Sequence, residues 1–197
     1  MSTTLLIKHL AKFLPLTDIE ATELINRTSE RLVKRKHLLL QENDVCNHLT
    51  FVVKGCFRMY KADQSGKEHN LEFVAENDWI TNIGSLHKRL PSKLNIEALE
   101  TSVIIQIERK DLWYLYTRYH SFDRNFRIII EDKYIQLQDR VLQSISSTSH
   151  ERYKVFLQQY SHLVGRLPNT HIASYLGITP EFLSKIRCEK QIPVLVS

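Results

Sequence analysis

Thr170–Lys190 reads THIASYLGITPEFLSKIRCEK. The stretch predicts two short helices around a tight turn. Ile172, Ala173 and Leu176 fall at helical spacing and give the first helix an apolar face. Gly177 stands where the chain must reverse, and glycine takes positive φ without steric cost. Thr179 suits the cap of the second helix, and Pro180 its first position, where its fixed φ is already helical. Phe182, Leu183 and Ile186 are expected to point inward, leaving Glu181, Ser184, Lys185 and Arg187 outward. A helix, a glycine turn and a second helix with a polar, partly basic outer face is the arrangement that reads DNA in the major groove. An ordinary helical hairpin on a core has the same generic pattern.

Upstream of this stretch the longest helical pattern runs from about Phe122 to Ser146. Phe126, Ile130, Tyr134, Leu137, Val141 and Ile145 are separated by four, four, three, four and four residues, which makes one helix face. Ile128, Ile135 and Leu142, seven apart, form a second stripe. One stripe can cover the domain before it. The other then needs a partner, and the same helix of a second subunit is the economical one. Ile128, Ile135 and Leu142 are therefore the expected dimer contacts. A helix buried on two sides within one chain is the alternative. Ser146–Ser149 breaks the helix and reads as a hinge. Thr148 and Glu151 match a capping box, opening a helix to about Tyr160 with Tyr153, Phe156, Leu157 and Tyr160 inward. From Thr148 onward there are six Lys and Arg against three Glu, so the basic excess concentrates at this end.

Before the long helix the texture differs. Residues 3–14 read as a short amphipathic helix ended by Pro15, and Thr17 and Glu20 form a capping box for a helix to about Ser29 with Leu16, Ile19, Leu24 and Ile25 facing a core. Short β-rich runs follow at Leu38–Gln41, Leu49–Val53, Cys56–Tyr60, His69–Val74, Leu94–Leu99 and Val103–Glu108. Turn signals separate them, among them Glu42-Asn43-Asp44, Asp63-Gln64-Ser65-Gly66 and Glu76-Asn77-Asp78. That spacing suggests a small antiparallel sandwich or barrel. Residues 109–119 then read as a short helix with Leu112, Tyr114 and Leu115 partly buried.

Composition limits the possibilities. A chain of 197 residues with 43% hydrophobic residues can bury a core, and five Gly and five Pro leave little for flexible linkers. No apolar run approaches the roughly 18 residues that span a membrane. The start, MSTTLLIKHLAKFL, lacks the layout of a signal peptide. Cys46, Cys56 and Cys188 are odd in number and far apart, which argues against a disulfide framework or a zinc site and for a reducing cytoplasm. The net charge of +5 is compatible with a polyanionic partner. No Ser/His/Asp set, phosphate loop or metal-spaced cluster stands out, so an enzyme is not expected.

A β sandwich, a long helix, a hinge and a helix-turn-helix, in this order, resemble the Crp/Fnr family of bacterial transcription regulators over almost the whole chain. HLTFVVKGCFRMYKADQSGKEHNLEFVAENDW is similar to the family's effector domain, with Gly55, the Ser65-Gly66 turn and Glu76-Asn77-Asp78-Trp79 at the family's spacing. IASYLGITPEFLSKIR is similar to its recognition motif, and ERYKVFLQQY together with Thr179-Pro180-Glu181 resembles a Bacteroidetes-type branch. The resemblance implies an α+β chain. Residues 1–120 would form a cyclic-nucleotide-binding-like jelly roll (a double-stranded β-helix), 121–147 a dimerisation helix, and 148–197 an all-α helix-turn-helix domain. It implies a homodimer on a pseudo-palindromic site in double-stranded DNA, with RNA polymerase as a further partner. The recognition face would comprise Thr170, Thr179, Pro180, Glu181, Ser184, Lys185 and Arg187. Glu181 can accept from a cytosine amino group, Lys185 or Arg187 can donate to guanine or phosphate, and the two threonines lie near helix N-termini that hold phosphate.

Two departures qualify the resemblance. Members that bind cyclic AMP carry a Gly-Glu pair for the ribose and an Arg for the cyclic phosphate. Those positions fall near Thr81-Asn82 and Ser92, so the implied effector pocket comprises Trp79, Thr81, Asn82, Ser92 and Lys93. Serine cannot supply the missing charge, and cyclic AMP is not the expected effector. No cysteine precedes Cys46, which disfavours the family's iron–sulfur cluster, and no haem-ligand pair is identifiable. The second departure is the wing after the recognition helix, reduced here to QIPVLVS. A rival expectation is a ligand-binding or protein-interaction module of the same fold that has lost DNA binding.

Overall fold

A computed structural model describes residues 2–189; the shortened-wing reading, which concerns 191–197, lies outside them, as does Lys190. The chain opens with α1 (Ser2–Leu10) and α2 (Asp18–Asn26). Eight strands follow: β1 (Thr28–Val33), β2 (Leu38–Leu40), β3 (His48–Lys54), β4 (Phe57–Ala62), β5 (Glu68–Val74), β6 (Asp78–Ile80), β7 (Asn95–Ala98) and β8 (Ser102–Glu108). Helix α3 (Ile83–Lys88) interrupts them between β6 and β7. Then come α4 (Arg109–Arg118), α5 (His120–Ser146), α6 (Ser149–Gln159), α7 (Asn169–Leu176) and α8 (Pro180–Glu189).

The strands make two four-stranded sheets, ordered β1-β8-β3-β6 and β2-β7-β4-β5. All their pairings are antiparallel, as in a jelly roll. Their turns use the residues that tolerate positive φ: Asn43 at 74°, Asn77 at 64° and Gly66 at 81°. Gly55, at φ 113°, is different in kind. It joins β3 to β4 where a Cβ would lie 2.0 Å from Ser102 Oγ, so the backbone approach itself demands glycine.

Both capping boxes form. Thr17 and Glu20 open α2, and Thr148 and Glu151 open α6, each with the side chains bonded reciprocally to backbone N–H groups. Helix α2 stops earlier than its pattern suggests, because Thr28–Val33 leaves the helix to pair with Ile107–Ser102 of β8. Only part of the expected core face is covered: Leu24 is fully buried, whereas Ile19 is 69% exposed and Ile25 is also exposed.

One core lies between the outer face of the first sheet and the helices. Leu6, Leu10 and Leu24 meet Phe51, Trp79, Ile105 and Ile107, with Leu112, Leu115, Phe122, Phe126 and Ile129 closing the layer. His9 sits in this core with its ring 5.2 Å from Phe51 and 5.6 Å from Phe13, and neither ring nitrogen has a hydrogen-bond partner among the described residues. Burial first, then Lys12 and Lys133, hold its pKa below the usual histidine value against the opposing pull of Asp78. A neutral His9 means the unfolded chain binds more protons below about pH 6.5, so stability falls as pH drops through that range. His48 and His171 shift the same way, mainly through burial. His9→Phe keeps the ring and removes two unpaired nitrogens. It should raise stability by about 1 kcal/mol, roughly 2–4 °C in Tm, and flatten the loss between pH 7.5 and 5.5 without abolishing it. Thermal melts across that interval check this; a lower Tm for the variant at pH 5.5 would refute it.

A second core joins the C-terminal helices to the outer face of the other sheet. Cys56, Phe73 and Ala75 bury against Tyr153, Phe156, Tyr160, Leu163, Leu167, Ile172, Ala173, Leu176, Leu183 and Ile186. Phe73 is its centre, with the rings of Tyr175, Tyr160 and Phe156 at 5.5, 5.9 and 6.4 Å. Polar bonds surround it. Arg166 pairs with Glu76 at 2.9 Å and with Glu100, and Glu76 also accepts from Gly55 N–H at 2.8 Å. Burial works to raise the Glu76 carboxyl, but those bonds outweigh it and hold it at about 2.

Helix α5 carries its inner face differently from the expected stripe. Phe122, Asn125, Phe126 and Ile129 are buried, and further along Lys133 reaches Glu72 and Asp78, both at 2.7 Å. Arg140 then donates to the carbonyls of Asn70 and Tyr175. Of the stripe expected to cover the β domain, Phe126 alone does so. Ile130, Tyr134, Leu137, Val141 and Ile145 are exposed, as are Ile135 and Leu142 of the second stripe, while Ile128 is half-buried. The reason is register: each residue turns the helix by about 100°, and the polar pair Lys133 and Arg140 shares the inward arc with Phe126 and Ile129.

Candidate nucleic-acid interface and β-domain pocket

The helix pair forms as its residues dictate. Gly177 closes α7 in the left-handed conformation at φ 68°, and its N–H bonds back to Ala173 and Ser174 carbonyls. Thr179 Oγ1 accepts from Phe182 N–H at 3.2 Å, capping α8 behind Pro180. Ile172, Ala173, Leu176, Leu183 and Ile186 seal the pair onto α6. Phe182, expected inward, instead lies at the rim, 38% exposed beside the His150 ring.

Thr170, Thr179, Glu181, Ser184 and Lys185 are exposed together, with Pro180 half-buried behind them. Bonds from backbone N–H and Thr179 lower the Glu181 pKa, so it stays an ionised acceptor. Lys185 is exposed and forms a loose ion pair with Glu189 one turn on, at 3.7 Å. Ser184 Oγ donates to the Pro180 carbonyl. Arg187 folds back. Its Nε donates to Tyr153 Oη at 2.9 Å and its Nη1 to Asn169 Oδ1 at 2.6 Å, which braces α8 against α6 and the start of α7. Sequence spacing placed Arg187 on the outer face but could not show this tether.

Of the five residues of the implied effector pocket, Asn82 and Ser92 meet, but the set does not form one pocket. Trp79, 4% exposed, packs on Phe51 and Phe126 in the layer between the sheet and the helices. Thr81 Oγ1 donates to the His48 carbonyl. Asn82 caps α3 by accepting from Ser85 N–H, and its Nδ2 donates to Ser92 Oγ at 2.8 Å. Ser92 is 2% exposed and its hydroxyl also donates to the Leu94 carbonyl. Lys93 is exposed. The two positions that would meet a ribose and a cyclic phosphate thus satisfy each other, and neither carries charge. These residues do not fit a cyclic nucleotide bound in that manner.

A separate cavity of about 400 Å³ is lined by Leu40, Cys46, Thr50, Ile80, Ile96 and Gln106, drawn from both sheets. The buried amide of Gln106 donates to Thr50 Oγ1 and accepts from Arg31. None of the five implied pocket residues lines it. Among the described residues no cluster of His, Cys, Asp or Glu could hold a metal ion, and no helix is long and apolar enough to cross a membrane.

Sequence reasoning missed Arg58, Asn70, His171 and Ser174, which meet between β4, β5 and α7. Arg58 Nε donates to Glu97 at 2.8 Å, and Nη1 reaches Glu68 and lies 3.4 Å from His171 Nδ1. Ser174 Oγ accepts from Asn70 N–H at 3.0 Å and donates to the Glu68 carbonyl at 2.6 Å. The partners are separated by up to 113 residues, so no local pattern announces them.

The comparisons agree with this architecture. Residues 30–119 match the model of the cyclic nucleotide-binding domain family. No curated protein sequence matches the chain. Among solved structures, FixK2 from Bradyrhizobium japonicum is 20% identical with a TM-score of 0.73, over 82% of this chain and 83% of that one. A mutant of CooA from Carboxydothermus hydrogenoformans is 19% identical with a TM-score of 0.69, covering 84% and 77%. A proposed Crp/Fnr-family transcriptional regulator from Eubacterium rectale is 16% identical with a TM-score of 0.69, covering 90% and 84%. With its jelly roll, long helix and terminal helix pair, the chain matches the cyclic nucleotide-binding domain family over residues 30–119 and shares the overall fold of FixK2 and of the Eubacterium rectale protein.

Proposed function

We propose that this chain is a homodimeric, sequence-specific DNA-binding transcription regulator. The observation that carries the reading is the pairing of two exposed surfaces on one frame. One is the polar face of α8, offering Glu181, Ser184 and Lys185. The other is the apolar ridge of α5, from Ile130 to Ile145. Spacings of four and three along the ridge suit pairing with a second α5, with Ile135 and Leu142 on its flank. Two-fold pairing would present two α8 helices to a palindrome with half-sites one DNA turn apart. Residues 1–120 then serve as the β domain, 121–147 as the joining helix and 148–197 as the reading domain.

Binding-site selection from random duplexes should enrich a palindrome. Lys185→Ala should weaken binding to that site about tenfold and lower the salt slope by about one unit if the contact is to phosphate. Unchanged affinity would remove Lys185 from the face. The mutual bond of Asn82 and Ser92 favours a regulator that does not answer to cyclic AMP. Calorimetric titration should give no micromolar binding, and a measurable micromolar Kd would overturn that part. The tether of Arg187 favours the second reading, an interaction module without DNA binding, and absence of any enriched site at low salt would select it.

A further inference from the structure

We propose that Arg58, a residue of the β domain, is a positioning residue for DNA reading: it fixes the orientation of the helix pair and so sets the half-site spacing the dimer accepts. This rests on the regulator reading above.

The observations are geometric. Arg58 is 4% exposed although it lies on the outer side of its sheet, on the side where His171 of α7 approaches it to 3.4 Å. Its guanidinium stacks 4.0 Å over the Tyr60 ring. Its nitrogens are divided among Glu97, Glu68, Asn70 Oδ1 and His171 Nδ1, three of them on its own domain and the last on α7. Asn70 continues the link, since its Nδ2 donates to the His171 carbonyl and its N–H to Ser174 Oγ. Arg140 adds α5 to the same junction through the Asn70 and Tyr175 carbonyls. One bonded network therefore connects the β domain, the long helix and the first helix of the reading pair.

The orientation of α7 decides what this network does. His171, Ser174 and Tyr175 face the β domain, whereas Thr170, Thr179, Glu181, Ser184 and Lys185 stay exposed. The junction holds the helix pair without masking the residues offered to DNA. It is a brace and not a cover. A second helix pair, related by two-fold symmetry about α5, would stand at a separation set by the same brace. A rigid pair accepts one spacing, because one inserted base pair turns a half-site by roughly 35° and shifts it along the axis. A loosened pair accepts several, at the entropic cost of ordering itself on each.

The test measures binding of the full-length protein to the selected palindrome and to versions with one or two base pairs inserted between the half-sites. Wild type should lose at least about tenfold in affinity per insertion. In Arg58→Met the penalty should shrink to less than about threefold, with affinity for the parent site reduced and its salt slope unchanged, since no phosphate contact is lost. Arg58→Met leaves Glu97 without its cation, which can cost folding. Ser174→Ala is the milder companion, removing two bonds at the junction from the side of α7 turned away from DNA. Amide exchange without DNA reads the junction directly: Asn70 and α7 should lose protection in both variants while β3 and β8 keep theirs. Folded variants that bind with the full wild-type penalty overturn the role of Arg58 alone. A wild type that enriches no site overturns the regulator reading and this role with it.

Discussion

A Gly55→Ala variant should lose about 3–5 kcal/mol of stability, a large part of what a domain of this size has. Two costs add. The residue occupies φ 113°, outside the range that side chains adopt easily, which is worth about 1–3 kcal/mol. The new Cβ would also lie 2.0 Å from Ser102 Oγ, 2.5 Å from Ser102 Cβ and 2.8 Å from Ser102 Cα. Ser102 is fully buried at the start of β8, and its backbone cannot retreat without breaking its pairing with Val33, so overpacking adds a similar amount. The Gly55 N–H bond to Glu76 would be disturbed as well, and through Glu76 the Arg166 pair that ties the C-terminal helices down. Urea denaturation should show the midpoint falling with little change in m. Adding Ser102→Gly should recover part of the loss, the part owed to the clash with the Ser102 side chain, but neither the close approach of its Cα nor the cost of φ. A shift below about 1 kcal/mol would mean that the loop relaxes freely.

The second large effect is expected on assembly. On the proposed reading, Leu137→Glu with Val141→Glu should convert a dimer to a monomer and weaken binding to a palindrome by about a hundredfold or more, as the two half-sites cease to be read together. Folding should survive, because these residues are 56% and 51% exposed in the single chain and belong to neither core. Far-UV circular dichroism should therefore match wild type while sedimentation reports half the mass. A variant that stays dimeric would place the interface elsewhere, and one that unfolds would mean the ridge is covered within the chain.

Much of this was legible from residue order. The 27 residues of α5 announce themselves by four-three spacing, both capping boxes form as their residues require, and Gly177 and Pro180 set the turn of the terminal pair. Strands β1 and β6 were not legible. Thr28–Val33 is an edge strand with four exposed residues in a row, so it lacks alternation, and its existence depends on pairing with β8 about 75 residues away. Asp78–Ile80 is too short to carry a period. The face of α5 was misjudged because an apolar count gives no weight to Lys133 and Arg140, whose inward placement is decided by Glu72, Asp78 and two carbonyls on distant segments. The terminal helix pair could be located, but whether its arginine pointed at solvent or at Tyr153 depended on tertiary neighbours.

The bond between Asn82 and Ser92 bears on the history open to this sequence. Ser92→Arg on its own would place a cation at a site 2% exposed and leave the Asn82 amide without its acceptor. Asn82→Glu on its own would set a carboxylate against a hydroxyl already donating to Leu94. Each single change is unfavourable, and only the two together could create complementary charges. A lineage with the neutral pair is thus separated from one with a charged pair by less stable intermediates, and selection acting one substitution at a time would tend to keep it where it is.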